Sequence, residues 1–406
     1  MWRQLWKVDV LFTSQPCLLA EDAPVLEYVR MRAVGLFSGI GGFELGLSRS
    51  GISTTLLCEN WGPAVTVLAS KFDAEVVGDI TTLQCLPAAD VVTAGFPCTD
   101  LSQVGRKAGI DGNESGLVKH VFRLVEATSP KWLVLENVPN MLTLHGGAPM
   151  RAVTDWLQDH RWNWAYRVVD SRYFGVRQRR RRVLLVASKT EDPRTVLFSD
   201  DAGSSDLPRS HHAYGFYWTE GNRGLGWGEG VTPTLKGGSK LGIASPPAVW
   251  RPGEQPGAAI VRPSINAGER LQGFRAGWTS AVSKEGIRWK LVGNAVTVPV
   301  AAWIGRRLVN PAQPAEVQRR ALVQGERWPV AASWFDGRHE AWNLSERPLR
   351  LKHALTLSGV LDQHGSVPLS FSATAGFTKR LEASTLRRRD DFVQALHEHM
   401  NFHTLN

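Results

Sequence analysis

Between Arg32 and Ser188 the chain alternates short apolar, β-branched runs with stretches of helical spacing, a rhythm that few folds accept. Residues 33–38, 54–58, 75–77, 90–94 and 132–135 read as buried strands, since continuous apolar runs of this length need cover on both faces. Helical spacing falls between them at 43–50, 63–71, 118–127 and 150–160. Pro63 suits a first helical turn, where its missing N–H would be unpaired in any case. Strand and helix in alternation predict a largely parallel sheet between helical layers, with ligands at the carboxyl ends of the strands. Residues 164–169 and 182–187 lie close together and predict a hairpin-like edge.

Composition changes after Lys189. As far as residue 263 the chain is rich in Gly, Pro, Ser and Trp, with Trp218, Trp227 and Trp250 favouring an ordered, loop-rich unit over a flexible insertion. Helical, apolar character returns at 296–308, which is suited to pack back on the first domain. Residues 311–406 form a further basic region with Trp328, Trp334 and Trp342, to which no chemistry is assigned. Residues 1–30 look detached, and Met31 stands directly before the first strand, so a translation start at Met1 or at Met31 is open.

The bulk numbers exclude several classes. No run of eighteen apolar residues is present, and the first thirty residues lack an apolar core with a small-residue cleavage site, so no membrane span and a cytoplasmic protein are expected. Cys17, Cys58, Cys85 and Cys98 are far apart without C-x-x-C spacing, which predicts reduced thiols and no metal site. The formal charge of +9 points weakly to a polyanionic partner.

Chemistry is concentrated in an ordered series of motifs. Phe37-Ser38-Gly39-Ile40-Gly41-Gly42-Phe43 joins the first strand to the first helix, where glycines let a ligand approach the backbone and the helix terminus offers free N–H groups. A lone glycine cluster is equally well a tight turn. Glu59 ends the second strand, where a carboxylate is placed to accept ribose hydroxyls, and Asp79 ends the third, within reach of an adenine amino group. Each acid alone reads as a cap or a solvated charge; at three successive strand ends they read as a nucleoside pocket. Cys98, in Gly95-Phe96-Pro97-Cys98-Thr99, precedes Glu136-Asn137-Val138 by 38 residues. A thiol nucleophile and a carboxyl group that donates a proton or hydrogen bond are what attack on a pyrimidine ring needs. Finally, Arg177-Gln178-Arg179-Arg180-Arg181-Arg182 leads into an apolar run. As a basic patch it would touch phosphates. As the start of a strand it places Gln178, Arg180 and Arg182 on a face suited to an active site, with Arg177, Arg179 and Arg181 facing DNA backbone or solvent. Arg270-Leu271-Gln272-Gly273-Phe274 and Gly293-Asn294-Ala295-Val296 carry no evident chemistry by themselves.

In this order the segments resemble the DNA cytosine-C5 methyltransferases. The resemblance implies a Rossmann-like, S-adenosylmethionine-dependent methyltransferase sandwich with a smaller, loop-rich target-recognition domain. Its divisions would be an N-terminal extension 1–31, a catalytic and cofactor-binding domain 32–188, a target-recognition domain 189–284, a returning segment 285–310 and a C-terminal extension 311–406. Three positions depart from the family: Gly35, where an acid usually precedes the motif phenylalanine, Thr99 after the nucleophile, and Arg275 after Phe274.

The resemblance assigns S-adenosylmethionine as methyl donor. Phe37 would stack on its adenine beside the turn of Gly39, Gly41 and Gly42, Glu59 would hold the ribose, Asp79 would meet the adenine amino group, and Asn294 would help close the site. Cytosine C5 is a poor nucleophile until a thiolate adds at C6 and breaks the aromaticity. A free cysteine of pKa about 8.5 is only a few per cent thiolate at neutral pH, so cationic neighbours such as Arg180 and Arg182 would raise that fraction. Glu136 would bond N3 and the exocyclic amine, and Arg182 would hold O2. A base within a duplex has to be flipped out, and the loop holding Ser102 and Arg106 is suited to close over it, with Gln178 nearby. Double-stranded DNA is the expected substrate. The protein is expected to act as a monomer alongside a cognate restriction endonuclease or other defence proteins. Rival readings are an RNA cytosine methyltransferase and a catalytically silent DNA-binding protein on the same fold. A nicotinamide enzyme would explain the glycines and acids but not the series from Cys98 to Glu136.

Overall fold

The computed structural model describes residues 31–96, 116–203, 213–221, 224–237, 246–323, 325–349 and 355–405. Its first half runs β1 (Arg32–Leu36), α1 (Gly42–Ser48), β2 (Ser53–Cys58), α2 (Gly62–Lys71), β3 (Glu75–Val77), β4 (Val91–Ala94), α3 (Val118–Thr128), β5 (Trp132–Asn137), α4 (Ala148–Asp159), β6 (Asn163–Asp170) and β7 (Arg181–Ser188). There follow α5 (Arg194–Leu197), β8 (Tyr214–Phe216), β9 (Gly228–Glu229), β10 (Ala248–Trp250), α6 (Pro256–Ala259), β11 (Ile260–Pro263), α7 (Ile265–Leu271), α8 (Glu285–Asn294) and α9 (Val298–Val309). The last stretch holds β12 (Arg319–Ala321), β13 (Ala331–Phe335), β14 (Arg338–Trp342), α10 (Leu357–His364), β15 (Ser366–Pro368), α11 (Phe371–Glu382) and α12 (Asp390–Leu405).

Two sheets result. The larger has the order β12-β14-β13-β6-β7-β5-β4-β1-β2-β3; its β3-β2-β1-β4-β5 half is parallel, and β7 lies antiparallel between β5 and β6. Its strands are apolar on both faces because both are covered. Val34, Leu36, Val92, Ala94, Leu133 and Leu135 pack with Val121 and Phe122 of α3 and Met150 and Val153 of α4. The alternate residues Ala33, Val91, Trp132 and Val134 pack with Phe43 and Leu47 of α1 and with Trp303 and Ile304 of α9. This is the expected α/β sandwich. Helix α9 reaches α1 closely because Gly46 leaves no room for a Cβ against Ala301, and a Cβ on Gly305 would press on Leu47.

One expectation needs correction. The β6–β7 hairpin forms but is not an edge, because β13 pairs with β6 and carries β14 and β12 beyond it. Trp328 packs edge-on to Trp164 and Tyr166 of β6, so the basic C-terminal region is partly the end of the main sheet.

The smaller sheet, β15-β11-β10-β8-β9, carries a separate core in which Tyr214, Phe216, Trp250 and Ile260 meet Phe377, Leu381, Phe392 and Leu396 of α11 and α12. Trp227 stacks on Tyr214 at 5.0 Å and meets Phe392 edge-on, so this tryptophan-rich stretch is ordered around an aromatic cluster. Among the described residues, no helix is long and apolar enough to cross a membrane.

Candidate active site

The turn from β1 to α1 is wound with positive φ at Phe37 (55°), Gly39 (57°) and Gly41 (81°), conformations that cost a side-chain-bearing residue and suit glycine. Glu59, just past β2, fastens this turn: its Oε2 accepts from the Gly39 N–H at 2.9 Å and its Oε1 from the Trp61 N–H at 2.9 Å. Each carboxylate oxygen keeps acceptor capacity for a ligand hydroxyl. A Cβ on Gly42 would press on the Val296 carbonyl, which seats the turn against the returning segment. Asp79, past β3, accepts from the Thr81 N–H at 2.9 Å, and that bond holds its carboxyl below the usual range. Cys58 donates to the Gly78 carbonyl, and burial pushes its thiol up to about 11, so it stays a thiol. Phe37, Gly39, Gly41, Gly42, Glu59 and Asp79 thus sit at the carboxyl ends of three adjacent strands.

A second cluster lies at the end of β5. Antiparallel pairing of β5 with β7 sets Asn137 opposite Val183 and so brings Glu136 and Arg182 to the same end. Arg182 Nε donates to Glu136 Oε1 at 2.7 Å, and with 15% and 12% side-chain exposure both groups remain reachable from solvent. The chain leaving β4 is tied to this pair: the buried Asn137 Nδ2 donates to the Phe96 carbonyl at 3.1 Å, and a Cβ on Gly95 would lie 3.7 Å from Glu136 Oε2. Cys98, Ser102 and Arg106 lie outside the described residues.

The arginine run divides by alternation, with a different outcome on each side. Arg182 meets Glu136, but Arg180 is buried and spends its guanidinium on the carbonyls of Leu235 (3.1 Å), Gly293 (3.2 Å) and Ala295 (2.9 Å). Burial lowers its pKa, with Arg182 nearby acting in the same sense and Glu136 opposing it. Gln178 is likewise buried: it donates to the Leu271 carbonyl and to Gln272 Oε1, both at 3.0 Å, and accepts from the Leu235 N–H at 2.7 Å. Both side chains join the large sheet to the segments that follow. The opposite face, expected to meet DNA or solvent, also holds protein partners, with Arg181 remaining half exposed. Arg181 pairs with Glu346, Arg177 donates to the Leu355 carbonyl and Arg179 to the Gly226 carbonyl. Asn294 is exposed at the last residue of α8, with Gly237 so close that a Cβ there would strike its amide.

Two acids escaped the sequence reading. Glu269 is fully buried at the joint between the sheets and collects N–H groups from Gly277 (2.5 Å), Trp278 (3.1 Å) and Thr279 (2.9 Å), as well as Arg288 (3.0 Å). Trp278 in turn donates to the Ile40 carbonyl of the glycine turn. Glu44 lies in the first turn of α1, also buried. Its position beside the motif phenylalanine turn was the available signal, since a charged residue is seldom buried without a purpose.

A profile of C-5 cytosine-specific DNA methylases matches residues 31–213. The chain is 44% identical over 384 residues to the type II methyltransferase M2.BsuMI of Bacillus subtilis, an alignment covering 90% of this chain and 97% of that one. It is 26% identical over 320 residues to the type II methyltransferase M.MspI of Moraxella, covering 71% and 74%. In fold it is similar to the Dnmt2 methyltransferase of S. pombe, with a TM-score of 0.53 at 15% identity over 69% of this chain and 98% of that one.

Proposed function

The chain belongs to the C-5 cytosine-specific DNA methyltransferases of type II restriction–modification systems, and from that premise we propose that it methylates a cytosine flipped out of one short duplex sequence, using S-adenosylmethionine. The residues present fit that cofactor: a glycine turn, a carboxylate at the end of β2 with acceptor capacity to spare, an exposed carboxylate after β3, and a buried acid behind the turn. When bound, S-adenosylmethionine supplies an electrophilic methyl group.

In this reading Glu59 accepts the ribose hydroxyls, Asp79 the adenine amino group, and Phe37 covers the adenine, with Asn294 at the margin. Cys98 adds as thiolate to C6 of the flipped cytosine, which gives C5 enamine character. Glu136 hydrogen-bonds N3 and the exocyclic amine, where charge develops. Arg182 orients Glu136 and reaches O2, while Arg180 acts from behind by fixing the start of β7. C5 takes the methyl group, its proton passes to solvent, and expulsion of the Cys98 thiolate restores the aromatic ring. The observation that carries this reading is the Arg182–Glu136 pair at 2.7 Å beside Gly95, because the strand exit leading to Cys98 ends there. Mapping 5-methylcytosine across the genome of a host without cytosine methylation tests it. Modification of one short sequence is the expected result; a blank map would move the substrate to RNA or require a missing partner.

Two further results are expected. Asp79→Ala weakens cofactor binding about tenfold or more, as loss of a hydrogen bond to a charged group would, and leaves DNA affinity nearly unchanged; calorimetry showing the reverse rules out the pocket. Target choice would reside in residues 213–263 together with 355–405, because the two share one core. Exchanging both pieces for those of a relative changes the methylated sequence. Exchanging 189–263 alone yields insoluble protein, since Val196, Leu197 and Phe198 belong to the core of the large sheet. An unchanged target after the double exchange would place recognition elsewhere.

A further inference from the structure

Glu44 is 1% exposed, and its carboxyl is close enough to the Ser38 hydroxyl and to its own backbone N–H for both to favour the charged form, yet neither makes a hydrogen bond of good geometry with it. The Ser38 hydroxyl is buried as well, with no partner of better geometry. Leaving such groups unmatched costs free energy, and a carboxyl group in that position is an expensive choice for a helix that could carry leucine there. Its place is specific. A Cβ built on Gly35 would run into Glu44 Oε1, and Ser38 Oγ lies 2.6 Å from the same point. The Glu44 carboxyl therefore fills the space that an acid at position 35 would occupy, and Gly35 is one of the three departures noted from the sequence.

Resting on the cofactor pocket proposed above, we infer that Glu44, reaching over from α1, is the anionic partner of the cofactor's cationic methionine end and ionises when that end arrives. The surroundings allow it. In the free protein burial is the main cause that raises the Glu44 pKa to about 7; its own backbone N–H and then the Ser38 hydroxyl oppose, and Glu59 adds a smaller push upward. The segment entering α9 sets Val296 against Gly42, α9 itself sets Ala301 against Gly46, and residues 296–301 carry no charge. Gly35 on β1 and its partners Leu57 and Thr93 are uncharged as well. Among the described residues Glu59 is the charged group that acts on Glu44, and it acts by repulsion. A bound cation favours the carboxylate, so binding expels a proton, and affinity must rise with pH across the interval around 7.

Titration calorimetry of the full chain with S-adenosylmethionine, in buffers of differing ionisation enthalpy, reads this directly. With a free-state pKa of about 7, binding at pH 7 should release about half a proton, and affinity should tighten about tenfold from pH 6 to pH 8. Glu44→Gln, nearly the same shape, should remove both effects and weaken binding. Glu44→Ala should weaken it too, and Gly35→Asp added to Glu44→Ala should restore it, whereas Gly35→Asp alone sets two acids in one space and should not bind. S-adenosylhomocysteine, which keeps the ammonium but lacks the sulfonium, should show the same proton release if the ammonium is the partner and lose it if the sulfonium is; either supports the inference. Tight binding with no proton release, or release unchanged in Glu44→Gln, overturns it and leaves the pocket standing. Absence of S-adenosylmethionine binding by the wild type overturns both.

Discussion

Cys98→Ala is expected to abolish methylation, by about 10⁴-fold or more, because without a thiolate at C6 the cytosine ring keeps its aromaticity and C5 does not attack the methyl group. The substitution removes one sulfur atom, so melting temperature and cofactor binding should stay close to wild type. DNA containing 5-fluorocytosine at the target gives a sharper reading. With fluorine at C5 there is no proton to lose, so the adduct persists. The wild type should form a complex that survives denaturing electrophoresis, and Cys98→Ala should form none. Turnover by the variant above about one per cent of wild type would exclude Cys98 as nucleophile, since loss of a nucleophile ordinarily costs far more.

The second large effect is on stability. Glu269→Ala leaves the N–H groups of Gly277, Trp278 and Thr279 and the Arg288 guanidinium without their acceptor, inside protein. Breaking a buried charged cluster of this kind costs about 3–5 kcal/mol. At roughly 2.1 cal/mol/K per residue of unfolding entropy, a unit of this size should melt about 5 °C lower. Glu269→Gln keeps an acceptor oxygen and should lose less. Since Trp278 in that loop holds the Ile40 carbonyl, Glu269→Ala should also weaken cofactor binding although it touches no ligand. A melting temperature within about 1 °C of wild type would show that water replaces the carboxylate and that the joint is not buried as described.

The parts of the site legible in the sequence are those whose meaning is local. The glycine turn could be read because positive φ beside a strand end demands glycine, and Glu59 and Asp79 because parallel strands deliver successive strand ends to one side of a sheet. Alternation set Arg182 on one face with Gln178 and Arg180, and in the structure Arg182 meets Glu136. It did not tell Arg180 from Arg182, because residues on one face share a direction but not a depth, and depth depends on segments that arrive from residues 235 and 293. Nor did a basic run show that Arg177, Arg179 and Arg181 would be taken up by Leu355, Gly226 and Glu346, partners up to 178 residues away. The tryptophans after Lys189 signalled order but not its cause, an aromatic core completed by α11 and α12.

By itself, then, the sequence determined the family and the sandwich, because strand period, turn geometry and a short ordered series of motifs are each written within a few residues. Tertiary structure alone decided where the large sheet ends, which arginine of the run meets Glu136, that the core of the smaller sheet is built from two distant pieces, and that Glu44 fills the space left by Gly35. Each of these depends on which surfaces meet after the chain has folded back across more than a hundred residues, and burial and pairing of that kind leave no periodic trace in the residues that make them.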